Sequence, residues 1–193
     1  MTRPIAVAIT GGIGAGKTEA LRAFARHGAA TVSSDEIVHE LLRRDEVKEA
    51  VVERLGPEVV GADGKLDRKA IAAIVFDDPD ALARLEGLLH PLVSAEYLRW
   101  REQLGQLDRP PRVCVTEVPL LYEVGSESQF DKVVVVTAPA ELRRARSAAA
   151  SPGREQRLLD DAEKVARADF AYENAGSLRE LDRFVASVMR ELV

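Results

Sequence analysis

Few residues of this 193-residue sequence can form cross-links or bind a transition metal. There is one cysteine, Cys114, so no disulfide can form within the chain and the fold must be held by packing. The three histidines, His27, His39 and His90, are scattered, and with a single thiol they offer no zinc-ligand spacing. We therefore expect no structural metal, a reducing compartment and a cytoplasmic location.

The sequence also has no long apolar segment and no excess of basic charge. The apolar run from Ile5 to Ile9 is much shorter than a membrane span or a signal-peptide core. Lysine and arginine number 27 against 32 acidic residues, a net charge of −5, which disfavours the phosphate-neutralising contacts of nucleic-acid-binding proteins. We expect neither a membrane nor a nucleic-acid partner. The oligomeric state is not indicated.

Apolar runs that alternate with helical stretches are abundant in the rest of the chain. The runs at Ile5–Ile9, Val113–Val115 and Val133–Val136 read as buried strands, and helical patterns separate them. This alternation predicts an α/β fold, a parallel sheet flanked by helices. We expect a single domain with a core over about 1–58 and 108–193, a helical insertion over about 59–107 and a short helical lid over about 140–167.

The middle of the chain carries a helix-start signal followed by a proline. Asp78 and Pro79 supply a cap and a first-turn proline, and Leu85 and Leu89 lie on one side of the helix that follows. Pro91 lies inside this pattern. Since proline removes one hydrogen bond from a helix, we expect it to kink the helix or to split it in two.

A glycine-rich segment between the first strand and the first helix indicates chemistry. Residues 11–18 read GGIGAGKT and match the pattern G-x-x-x-x-G-K-[ST] in full. Such a loop turns backbone N–H groups toward a phosphate, and the helix that follows adds its positive end. Lys17 is predicted to reach the β and γ phosphates and Thr18 to bind Mg²⁺. The predicted nucleotide-binding residues here are Gly12, Ile13, Gly14, Ala15, Gly16, Lys17, Thr18 and Glu19.

Two carboxylates follow predicted strands at the sheet edge where ligands of α/β proteins bind. Asp35 follows the second predicted strand, and it can either accept a hydroxyl proton or cap the next helix. Glu117 ends the strand that begins near Val113, where it can either support a Mg²⁺ ion or remain a solvated strand end. The glycine loop alone does not distinguish a kinase from a switch GTPase or an ATPase.

Segments spaced over nearly the whole chain carry a family resemblance. They are Ile9–Gly14, Asp35–Ile37, Gly64–Arg68, Val75-Phe76, Leu89–Pro91, Val118–Glu123, Glu163-Lys164, Ala168-Asp169 and Asn174. Together they resemble the dephospho-coenzyme A kinase family. The resemblance implies a P-loop NTPase-like fold, ATP and Mg²⁺ as cofactors, and transfer of the γ-phosphoryl group of ATP to the ribose 3′-hydroxyl of dephospho-coenzyme A. This is the last step of coenzyme A synthesis, with coenzyme A and ADP as products.

The resemblance also implies roles for individual residues. Asp35 would orient the 3′-hydroxyl and take its proton, while Lys17 and Mg²⁺ would stabilise charge on the transferred group. Each acceptor-side residue also fits a plain structural role, as do the lid arginines. The predicted catalytic residues are Lys17 and Asp35, the predicted substrate-binding residues are Asp35, Arg68, His90 and Glu123, and the predicted ATP contacts near the lid are Arg144 and Arg146.

Three positions depart from the family pattern. Ser33 stands where the first acid of an Asp-x-Asp pair is usual, Glu19 follows Thr18 where a hydroxyl residue is usual, and the turn Ala148–Gly153 lacks an arginine. The flanking arginines, one of which is expected to replace the missing contact, are Arg143, Arg144, Arg146, Arg154 and Arg157.

Because of these departures, two alternatives stay open. One is a protein that binds nucleotide and coenzyme A precursors with little or no turnover. The other is a P-loop kinase of a different small hydroxyl acceptor. A switch GTPase is the least favoured class, since the chain has no Asn-Lys-x-Asp guanine reader.

Overall fold

The structure, a computed structural model, describes residues 3–146 and 158–193, and within them the chain forms one five-stranded sheet. The strand order is β2-β3-β1-β4-β5, and every neighbouring pair is parallel. This confirms the predicted α/β class with a parallel sheet. The strands are β1 (Ile5–Thr10), β2 (Ala30–Ser33), β3 (Val113–Glu117), β4 (Lys132–Thr137) and β5 (Phe170–Glu173).

Within the described residues, α-helices lie in the connections between these strands, except that a short 3₁₀ turn lies between β3 and β4. Short 3₁₀ turns are added at Pro57–Val59 and Glu127–Gln129. The predicted turn Ala148–Gly153, Arg154 and Arg157 lie outside the described residues, as does the middle of the expected lid. The helices are α1 (Lys17–Arg26), α2 (Ser34–Leu41), α3 (Asp45–Leu55), α4 (Arg68–Asp77), α5 (Pro79–Gly105), α6 (Ala140–Arg146), α7 (Asp161–Ala166) and α8 (Leu178–Leu192).

Helix α5 continues through Pro91 without a break, so of the two outcomes expected there, a kink or a split, the split is wrong. Proline at this position removes the one hydrogen bond that its N–H would have donated to the carbonyl of Gly87. The bonds on either side of that gap are enough to carry the helix forward. Loss of a single bond within a long helix is therefore tolerated here.

Strand β1 lies at the centre of the sheet, and both of its faces are buried. Val7 and Ile9 pack into a hydrophobic cluster with Phe24 of α1 and Val185 of α8. Ala8, which points to the opposite face, packs with Leu121 and with residues of β4. Burial on both faces explains why β1 reads as a continuous apolar run instead of an alternating one.

The chain divides into two compact units. The sheet unit comprises residues up to Ser34 and from Arg101 onward, and the helical unit comprises Asp35–Trp100. The helical unit has its own hydrophobic cluster, which includes Val51, Val59 and Leu85. It contains most of the segment 59–107 together with most of α2 and all of α3. Among the described residues, no helix has the length and apolarity needed to cross a membrane.

Candidate active site

The glycine loop links the end of β1 to the start of α1, in the context that the sequence predicts. Gly11 adopts a φ of 142°, and a Cβ atom placed on it would lie 1.9 Å from the carbonyl oxygen of Val136 in β4. No residue larger than glycine fits so close to that strand. The loop is therefore held against the end of β4 at its first residue.

Lys17 is buried at the first position of α1, with 9% of its surface exposed. Its Nζ atom donates hydrogen bonds to the carbonyl oxygens of Gly11 and Gly12, at 3.1 and 3.0 Å. The ammonium group thus lies over the loop, next to the positive end of a ten-residue helix. Positive charge and backbone N–H groups meet at one place, as binding of a phosphate requires.

Thr18 and Glu117 meet beside the loop. The Thr18 hydroxyl donates to Glu117 Oε2 at 3.2 Å, and Glu117 is buried at the end of β3. Hydroxyl and carboxylate oxygens are ligands that suit Mg²⁺, which on a nucleotide needs only one or two protein groups. Within the described ranges, no group of three or more His, Cys, Asp or Glu residues forms a metal cluster. The pair fits a Mg²⁺ ion that is shared with phosphate oxygens.

Glu19, where the sequence departs from the family pattern, forms an ion pair with Arg22 one turn further along α1. The carboxylate is therefore partly neutralised within its own helix. This exposed pair adds little stability, but it reduces the repulsion that a carboxylate near phosphates would cause.

Arg143 of α6 is the lid arginine that the structure brings to the loop. A Cβ atom on Gly12 would lie 2.4 Å from its Nη1 atom, and its guanidinium pairs with Asp161 of α7 at 3.3 Å. Arg144 and Arg146 are exposed, and Arg146 Nη1 donates to the backbone oxygen of Asn174 at 3.4 Å. Of these three arginines on α6, Arg143 is therefore the one that lies against the backbone of the glycine loop.

Glu123 and Lys164 form a buried ion pair in the sheet unit. The Nζ atom of Lys164, which is fully buried, lies 2.7 Å from Glu123 Oε1, and this oxygen also accepts the N–H of Leu159 at 2.9 Å. Burial opposes ionisation of Glu123, but the hydrogen bonds from Lys164 and Leu159 outweigh it and lower the pKa of the carboxyl group. Glu123, predicted on the acceptor side, thus holds α7 to the loop after β3.

The other predicted acceptor residues lie in the helical unit. Asp35 is exposed in the first turn of α2, which begins at Ser34, so it stands inside the helix instead of capping it from outside. Arg68 is exposed at the start of α4, with Nη1 3.0 Å from His39 Nδ1. His90 is half-buried within α5. Asp35 and Arg68 thus present exposed polar groups on the surface of the helical unit, whereas His90 is partly covered.

Sequence reasoning missed the contacts of Asn174 and Lys164, which it named only as matching positions. Asn174 is buried directly after β5, and its Nδ2 atom donates to the carbonyl oxygen of Ala15 in the loop at 2.9 Å. The two residues are 159 positions apart in the chain. No local pattern indicates a partner at that separation, and the same holds for Glu123 and Lys164.

A parallel sheet with a GGIGAGKT loop at the turn from β1 to α1 defines the chain as a P-loop protein. A shikimate kinase from Acinetobacter baumannii shares this fold, with a TM-score of 0.53 and 18% identity over 97% of this chain and 94% of that one. The chain belongs to the dephospho-CoA kinase family, whose model matches residues 5–180.

Individual relatives agree with this assignment. A dephospho-CoA kinase from Frankia casuarinae is 37% identical over 97% of this chain and 83% of its own length. One from Symbiobacterium thermophilum is 41% identical over 89% of this chain and 74% of its own length. The solved structure of TT1252 from Thermus thermophilus has a TM-score of 0.81 at 34% identity, with full coverage of both chains. The structure of a dephospho-CoA kinase from Campylobacter jejuni has a TM-score of 0.72 at 26% identity, and the match covers 97% of this chain and 96% of that one.

The buried pair predicts a pH-dependent stability. Glu123→Gln should lower the free energy of unfolding by about 3 kcal/mol at neutral pH, because Lys164 is left buried without its counter-charge. Since the pKa of Glu123 is lowered in the folded state, its contribution is full above the ordinary glutamate pKa of about 4.3. It is lost as the pH falls through the lowered folded value. Urea unfolding of the parent and of Glu123→Gln, from neutral pH down to the folded pKa of Glu123, measures the difference in the free energy of unfolding.

A matched control is Glu163→Gln, which removes an exposed carboxylate from the position next to Lys164 on α7. Exposed pairs contribute little, so this variant should unfold nearly as the parent does. Equal loss from both substitutions at neutral pH would contradict the assigned role of the buried pair.

Proposed function

We propose that this chain catalyses transfer of the γ-phosphoryl group of ATP to the ribose 3′-hydroxyl of dephospho-coenzyme A, giving coenzyme A and ADP. Membership of the dephospho-CoA kinase family makes the chain a kinase of the coenzyme A pathway. The observation that carries the proposal is the buried Lys17 over a complete glycine loop, within a chain that matches this family over residues 5–180.

The ATP side of the proposed site rests on the loop. Backbone N–H groups of the glycine loop would surround the phosphates, and Lys17 would exchange its two carbonyl partners for phosphate oxygens. Arg143 is our added candidate for charge stabilisation, because its guanidinium already lies against Gly12. Arg144 and Arg146 stay predicted ATP contacts.

Thr18 is the residue that would hold Mg²⁺, and Glu117 would orient the ion and its water ligands from the end of β3. When bound, Mg²⁺ would offset the negative charge on the transferred phosphoryl group. The hydrogen bond between the Thr18 hydroxyl and Glu117 supports this assignment, since it brings two oxygen ligands together beside the loop.

The proposed acceptor-side residues are those that the sequence predicts. Asp35 comes two residues after the end of β2, so it follows the carboxyl end of a strand of the parallel sheet, where ligands of α/β proteins bind. Its exposed carboxylate would take the proton of the attacking 3′-hydroxyl. Arg68 presents an exposed guanidinium that suits the anionic groups of dephospho-coenzyme A. His90 and Glu123 stay predicted substrate-binding residues.

The two alternatives from the sequence are less well supported. Glu19 and the absence of an arginine from the turn Ala148–Gly153 favour a binding protein without turnover. However, Glu19 pairs with Arg22, and Arg143 lies against the glycine loop. A different acceptor finds no support in the family match.

We further propose that the protein acts in the cytoplasm. The thiol of Cys114 is buried and forms no disulfide, and burial raises its pKa to about 11.

The proposed reaction is tested by incubating the protein with ATP, Mg²⁺ and dephospho-coenzyme A and identifying the products by ³¹P NMR. Coenzyme A with a new 3′-phosphomonoester signal should form in equal amount to ADP. Lys17→Ala should lower kcat/KM by about 10³, because a principal charge on the phosphates is lost. Lys48→Ala, on α3, is the matched lysine control and should leave turnover unchanged.

The same assay with adenosine and shikimate in place of dephospho-coenzyme A separates acceptor classes. Efficient phosphorylation of either, with none of dephospho-coenzyme A by a folded protein, would refute the proposed substrate.

The proposed role of Asp35 predicts a specific kinetic signature. Asp35→Asn keeps the shape of the side chain but removes its ability to accept a proton, so kcat should fall by about 10² to 10⁴. The KM for ATP should stay within about twofold, because the nucleotide contacts are unchanged. The control is Glu40→Gln, which removes an exposed carboxylate from the same helix. Normal kcat in Asp35→Asn would assign Asp35 to stabilising the start of α2 only.

A further inference from the structure

Asn174, the only asparagine in the chain, joins three parts of the sheet unit. It is 4% exposed and directly follows β5. Its backbone N–H donates to Thr137 at the end of β4 at 2.8 Å, and its backbone oxygen accepts from Arg146 at the end of α6 at 3.4 Å. Its side-chain amide donates to the carbonyl oxygen of Ala15 at 2.9 Å. One residue therefore connects β4, α6 and the glycine loop.

The bond from Asn174 fixes the orientation of one peptide group in the loop. The peptide between Ala15 and Gly16 is planar and trans, so its C=O and its N–H point in opposite directions. Because the Ala15 carbonyl is held toward Asn174, the Gly16 N–H must point to the other side. In a loop that binds phosphate through backbone N–H groups, this orientation decides whether the Gly16 N–H is a donor to the ligand.

Gly16 and Asn174 also fit one another sterically. Gly16 has a φ of 101°, and a Cβ atom on it would lie 2.3 Å from Asn174 Nδ2. The amide therefore occupies the space that a side chain at position 16 would need. The preceding peptide group is held separately, by a bond from the Ala15 N–H to the Gly12 oxygen at 3.3 Å. The side-chain amide of Asn174 therefore acts on the Ala15–Gly16 peptide group itself.

We propose that Asn174 is a positioning residue for the nucleoside triphosphate. By holding the Ala15 carbonyl it presets the Gly16 N–H as a phosphate donor, and through its backbone it ties this part of the loop to Arg146 at the end of α6. Asn174 itself touches no substrate in this role. The inference rests on the proposed function for the identity of the ligand, MgATP.

Replacement by aspartate tests the inference through its dependence on pH. Asn174→Asp keeps the shape but turns the donor into a carboxylate that repels the Ala15 carbonyl, so the Kd for MgATP at pH 8 should rise about tenfold or more. A protonated carboxyl can donate a hydrogen bond again. The ratio of variant to parent Kd should therefore shrink as the pH is lowered. Calorimetric titration of MgATP without dephospho-coenzyme A gives these values.

Two further variants make the result decisive. Ala175→Asp places the same charge on the exposed neighbour, so its Kd should match the parent at every pH. Asn174→Ser is too short to reach Ala15 and should bind about tenfold more weakly with no recovery at low pH. This variant carries the test if the aspartate protein does not fold at pH 8.

A purely structural role for Asn174 gives a different result. Both Asn174 variants would then unfold at lower temperature yet bind MgATP with parental Kd at all pH values, which would overturn the inference. Failure of the proposed function is separately visible: the parent protein would bind MgATP in the calorimeter but would not phosphorylate dephospho-coenzyme A.

Discussion

Backbone N–H groups bind a phosphate only when the loop that carries them is held in one conformation. The glycines that allow this conformation also make the loop costly to order, because glycine loses much conformational freedom on folding. Supports from outside the loop offset that cost. In this protein Val136 meets Gly11, Arg143 meets Gly12 and Asn174 meets Ala15 and Gly16, so β4, α6 and the end of β5 all hold the loop.

The charges around the loop explain how an acidic chain can bind a polyanion. The net charge is −5, yet Lys17, Arg143 and the amino end of α1 concentrate positive potential at one edge of the sheet. Carboxylates beside the loop have partners: Glu117 accepts from the Thr18 hydroxyl, Glu19 pairs with Arg22, and Asp161 pairs with Arg143. Local arrangement, more than overall charge, therefore decides which ligand fits.

Local patterns in the sequence were enough to predict the parallel sheet, because strands that are buried on both faces leave continuous apolar runs. They were also enough to predict the loop at the turn from β1 to α1, because phosphate binding requires glycines at fixed spacing. The contacts made by the lid arginines were not predictable. Arg143 and Arg144 are adjacent on α6, and only packing shows that Arg143 faces Gly12. The Asn174 bond depends on residues distant in sequence. The helix is not split at Pro91, because one lost hydrogen bond does not end a long helix.

The central claim, that the amides of the glycine loop bind the triphosphate, is tested most directly by NMR of ¹⁵N-labelled protein. On titration with MgATP, the N–H resonances of Gly14, Gly16 and Lys17 should show the largest saturable downfield shifts, as expected when amide protons form hydrogen bonds to phosphate oxygens. Adenosine without phosphates should leave them in place. Saturable binding of MgATP with these three resonances unmoved would contradict the account.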